Sequence, residues 1–201
     1  LPAGQEVTFF PLRTAPPANM DDLISNFEDG MGTVQQVAGR GGGFYMFNDG
    51  TGTQMPPTGA VPPARAIEHC TSKYSLCMKG SGFMTWGAGM GTDLAPQGPP
   101  GSDGMPTKLT YDASKYTGVA FWAKAEAGSA TAVRIGFKDK NTAPEGGVCN
   151  AMATSGPEQC NDDWGKNLTL TTDWQVYKVT FAELKQSGWG KASSAFAANA
   201  V

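Results

Sequence analysis

Two short runs of strict alternation within residues 111–137 (YDASKYTGVAFWAKAEAGSATAVRIGF) set the terms for the whole chain. Val119, Phe121 and Ala123 recur at every second position, and so do Val133, Ile135 and Phe137. A period of two places each set on one side of an extended strand, so both runs predict strands of a half-buried antiparallel sheet. The apolar side must meet a second layer. The opposite side carries Trp122, Lys124, Arg134 and Gly136, and that is where a binding surface is expected.

The remaining segments fit an all-β body with long connections. Short apolar runs end at Asp-Gly turns, after residues 23–27 and again after 44–47, and both read as strands. Residues 54–79 read as a long Pro-rich loop, with a strand near 66–69. Residues 80–94 read as a glycine-laden strand whose Met84, Trp86, Ala88 and Met90 share one side, a pattern that places Trp86 in the core. Residues 167–172 and 174–181 read as a strand pair turning at Thr172-Asp173, followed by one helical turn over 182–186 and a weakly structured end. With 201 residues and no internal repeat, one domain over 21–201 is expected, preceded by a strand and Pro-rich tether over 1–20.

Charge and cysteine content narrow the function classes. The net charge is −3 and no run of Lys or Arg occurs, which argues against nucleic acid as a partner. No stretch approaches the roughly 20 apolar residues of a membrane span. Four cysteines fall in two local pairs, Cys70 with Cys77 and Cys149 with Cys160, and neighbour pairing is the expectation among the three possible connectivities. Such disulfide staples point to an oxidising, extracellular compartment. The wide spacings and the single His69 disfavour a zinc site. They also leave no well-placed base for Ser-His-Asp or Cys-His catalysis, so no enzymatic activity is expected, and glycoside hydrolysis by a carboxylate pair ranks last.

Five phrases in order, LISNFEDG (23–30), GFYMFNDGTGTQ (43–54), GSGFMTWGAGMGTDL (80–94), YDASKYTGVAFWAKA (111–125) and DDWGKNLTLTTDWQVYKVTFAELKQSGWG (162–190), resemble the jelly-roll carbohydrate-binding modules of secreted bacterial glycanases and related sugar-binding-like domains. The resemblance implies a jelly-roll β-sandwich of two antiparallel sheets with disulfide-stapled loops, and non-catalytic binding of a polysaccharide. Trp122 is the expected platform for a sugar ring and Arg134 its cross-strand partner for hydroxyls, with Trp164 and Trp189 at the rim of a groove. Resembling modules hold a structural Ca²⁺ near positions matching Glu28, Asp29 and Asp49, and these carboxylates sit in turns that supply oxygen ligands. The family's closing strand has no counterpart at the C-terminal end. Residues 6–10 are similar to the run into it, and the alternative reading is therefore a fibre subunit that donates this strand to a neighbouring copy.

Overall fold

The computed structural model describes residues 20–60, 64–69, 72–101 and 106–201. The fold is all-β. Among the described residues the helices are four single 3₁₀ turns, and the strands form six antiparallel two-stranded ladders. The chain divides into two compact units, Leu1–Pro96 and Gln97–Val201. The strand and tether expected over 1–20 lie almost entirely outside the described residues.

In the first unit, β1 (Phe44–Asn48) pairs with β6 (Ala88–Thr92), β2 (Thr53–Met55) with β5 (Lys79–Ser81), and β3 (Ala64–His69) with β4 (Ser72–Leu76). The connection expected to be one long loop over 54–79 is thus largely built from strands. The strand expected over 23–27 does not form. Ser25 Oγ accepts the amide of Phe27 and Asn26 Oδ1 that of Glu28, so side chains satisfy donors that a ladder needs, and Phe27 turns to φ 60°. Val34 and Met46 are the most buried apolar residues here. Arg40 is also buried, its guanidinium donating to the carbonyls of Asp21 (2.6 Å) and Leu23 (2.8 Å).

The second unit opens with an irregular pair, β7 (Gln97–Pro100) and β8 (Pro106–Lys108). The two alternating runs follow as β9 (Gly118–Ala123) and β10 (Ala132–Phe137). Neither pairs with the other: β9 joins β12 (Gln175–Thr180), and β10 joins β11 (Trp164–Thr169). The strand pair expected around Thr172-Asp173 is corrected accordingly, because β11 and β12 diverge to different partners. Thr171 makes the changeover, its carbonyl accepting the Ala125 amide while its own amide donates to Tyr177 Oη.

Val179 is almost fully buried opposite Val119, and Phe121 stacks on Tyr177 at 5.9 Å. Beside them Phe137, Phe181 and Phe196 form a ring cluster with centroids 5.0 to 6.1 Å apart. The C-terminal residues, expected to be weakly structured, are tied down: Tyr111 and Val201 exchange two backbone hydrogen bonds, and Ala198 and Ala200 accept amides from Ala113 and Lys140. The alternation fails at one position, since Val133 is exposed where Ile135 and Phe137 are half-buried.

Cys149 and Cys160 form a disulfide across a separation of 11 residues. The other expected pair includes Cys70, which lies outside the described residues. Replacing both Cys149 and Cys160 by serine should lower stability by about 3 kcal/mol through loop-closure entropy in the unfolded chain, measured by urea denaturation. A loss below 1 kcal/mol would show that the 149–160 loop is held by its other contacts.

Candidate functional site

Among the described residues of the first unit, an apolar patch is exposed on β1, β6 and the turn before β6. Tyr45 and Phe47 project from the same side of β1, opposite Gly91 and Gly89 of β6. A Cβ at Gly89 would fall 2.3 Å from Phe47 Cζ, and one at Gly91 would fall 2.8 Å from Tyr45 Cζ. The missing side chains let both rings lean across the neighbouring strand and lie on its backbone instead of standing up from it. Trp86 continues the row. Its ring is 6.0 Å from Phe47, and Phe47 is 6.2 Å from Tyr45. Trp86 is 63% exposed, Met84 beside it 83%, and Met55 68%. A contiguous apolar strip of this kind is a recognition surface more often than an accident of packing.

The turn that carries Trp86 is held by Asp49. One carboxylate oxygen accepts the amides of Thr85 (3.1 Å) and Gly87 (2.8 Å) and the Thr85 hydroxyl (2.8 Å), and the other accepts the amide and hydroxyl of Thr51. Partial burial would raise the pKa of this carboxyl, but these donors outweigh it and hold it well below the usual carboxylate range. Asp49 therefore stays charged and clamped at any physiological pH. Gly87, at φ 94°, supplies the left-handed residue that lets the chain turn back into β6. Gln54 braces the strands from the side, its Nε2 donating to the carbonyls of Phe47 and Gly89.

Trp86 is thus corrected from the core to the surface. It precedes β6 instead of belonging to it, so the two-residue period does not apply to Met84 and Trp86. The row was legible in part: aromatics at 45 and 47, with glycines alternating at 87, 89 and 91, are the trace of rings laid on a bare strand.

The residues expected to bind sugar are dispersed. Trp122 does sit on the side of β9 away from Phe121, but it is half-buried across from Val176. Arg134 is not its cross-strand partner, because β9 and β10 belong to different ladders. The Arg134 guanidinium is used internally: it donates to the carbonyls of Lys185 (2.6 Å) and Asp163 (3.2 Å) and to Asn167 Oδ1 (3.4 Å). It also lies flat against Gly165, where a Cβ would come within 2.8 Å of its Cζ. Arg134 borders an open depression of about 400 Å³ at the end of β10 and β11, with Val133 and Leu168 among its walls. Trp164 is half-buried, its ring packed edge-on at 6.4 Å from Phe196 and its Nε1 buried. Trp189 is 47% exposed in the loop after β12.

The three carboxylates expected at a calcium site are engaged separately. Glu28 accepts from Ser72 Oγ and the Lys73 amide, which lower its pKa, Asp29 from the Met31 amide and the Thr33 hydroxyl, and Asp49 as described. Among the described residues no group of three or more His, Cys, Asp or Glu side chains is placed to share an ion. Asp29 and Asp49 each accept the amide two residues on, the arrangement of an Asx turn.

No protein-family model, curated protein or solved structure matches this chain. No helix among the described residues is long and apolar enough to cross a membrane.

Proposed function

We propose that this protein is a non-catalytic extracellular module that binds a polysaccharide through the aromatic row Tyr45, Phe47 and Trp86. The observation that carries this reading is the row itself: three aromatic rings spaced 6.0 to 6.2 Å apart, two of them leaning over Gly89 and Gly91, with Trp86 63% exposed at its end. A ring face is complementary to the C–H surface of a pyranose, while amide and hydroxyl groups around it exchange hydrogen bonds with sugar hydroxyls. Tyr45, Phe47 and Trp86 are uncharged, and the nearby Asp49 is saturated by five hydrogen bonds, which favours an uncharged ligand. The disulfide supports an oxidising compartment. The jelly-roll sandwich belongs to the same proposal, with the antiparallel all-β ladders and the five sequence phrases as its support.

Trp86→Ala tests it. The side chain is mostly in water, so the melting temperature should stay within about 2 °C of wild type, a surface-substitution effect. Retention on insoluble cellulose, xylan or chitin, whichever wild type binds, should fall at least about tenfold, the loss of one aromatic anchor. Undiminished retention would remove the row from the binding surface.

A further inference from the structure

The second unit repeats the device that presents Trp86, in a part of the chain with no sequence similarity beyond Trp-Gly. Trp189 lies in the loop 187–190, Ser-Gly-Trp-Gly. Asp162, 2% exposed, accepts three backbone amides from that loop: Ser187 at 2.9 Å on one oxygen, Gly188 at 2.8 Å and Gly190 at 3.2 Å on the other. In the first unit Asp49 does the same for the amides that flank Trp86. Each loop also turns on a left-handed glycine next to the tryptophan, Gly87 at φ 94° and Gly188 at φ 90°. Gly190 admits no larger residue, because a Cβ there would fall 2.7 Å from both Asp162 Cβ and the Gln159 carbonyl.

A second brace crosses the base of the loop. Gln186 Nε2 donates to the carbonyls of Asp162 and Lys191, and its Oε1 accepts the Ser193 amide. The loop is therefore fixed before any ligand arrives, and binding costs little ordering entropy. An indole left half in water on so heavily tied a loop is being displayed; a slack loop would fold it inward. Its setting also selects the ligand. Glycines on either side leave the ring faces open to a bulky, flat partner. At the foot of the loop the Asp162 carboxylate is taken up by backbone amides and Lys191 pairs with Glu158 at 2.7 Å.

We propose that Trp189 is a second glycan contact, taking an uncharged pyranose of the same class of polysaccharide as the row in the first unit. This rests on the reading above. Asp162 is the positioning residue, and Trp189 is the group that touches sugar.

The test compares wild type, Trp86→Ala, Trp189→Ala and the double variant, in the full chain, on cellulose, xylan and chitin and against the matching soluble hexasaccharides by titration calorimetry. Wild type should bind two hexasaccharides and each single variant one. Each single variant should also lose polymer retention by at least about tenfold, the loss of one aromatic anchor. The double variant should bind neither form. If wild type binds one hexasaccharide and only Trp86→Ala removes it, the second contact is overturned while the first reading stands. If two bind and Trp189→Ala leaves both, the second contact lies elsewhere and this assignment is wrong. If no polymer or hexasaccharide binds, both readings fall together.

Discussion

Replacing Asp162 by alanine is expected to cost on the order of 3 kcal/mol of stability, the largest single-site loss anticipated in the second unit. The carboxylate is 2% exposed and accepts three amides at 2.8 to 3.2 Å. Hydrogen bonds to a charged acceptor contribute about 1.5–3 kcal/mol each, and donors stranded by its removal pay their own desolvation. The sum is not realised in full, because a freed loop lets water reach some of those amides. The same change should release the 187–190 loop and shift Trp189 emission toward that of a fully solvated indole. Asn at this position keeps one acceptor oxygen and should lie between the two. Urea denaturation followed at a probe away from Trp189 measures the effect. A loss under 0.5 kcal/mol would mean that the loop is held by Gln186 alone.

The neighbouring carboxylate makes the opposite prediction. Asp163 is mostly buried, one of its oxygens is buried without a hydrogen-bond partner, and burial pushes its pKa up to about 6. The negative charges of Asp139 and Asp162 push the same way, while Lys138 and Thr142 only partly compensate. The folded value stands above the ordinary aspartate value of 3.8, so folding takes up a proton between the two. The stabilisation by the protonated form is complete below about pH 4 and is lost as pH rises through about 6. That loss is on the order of 3 kcal/mol by pH 7.5.

Asp163→Asn, neutral and of the same shape, should therefore stabilise the protein at pH 7.5 by a similar amount and flatten its stability between pH 4 and pH 7. Paired denaturation curves at pH 4.5 and 7.5 decide it. Parallel pH dependence in variant and wild type would place the sensitivity on another group.

The contrast between these adjacent aspartates shows where sequence reading runs out. Both stand in the phrase NDDWG, and by residue type they are equivalent. One meets the amides of a loop some 25 residues further on, and the other is buried with an oxygen unmatched. Trp122, Trp164 and Trp189 divide in the same way. Alternation placed Trp122 on the side of β9 away from Phe121, correctly. How much of it water reaches depended on Val176, which only the β9–β12 register brings opposite.

The amino-acid order alone settled the all-β class, the two alternating strands at 118–123 and 132–137, and the Cys149–Cys160 staple, because alternation and short loop closure are local properties of the chain. Ladder partnership, the exposure of Trp86 and the fate of each carboxylate were decided by tertiary structure. Those outcomes depend on which backbone donors and which bare glycines arrive from distant segments, and neighbouring residues carry no record of that.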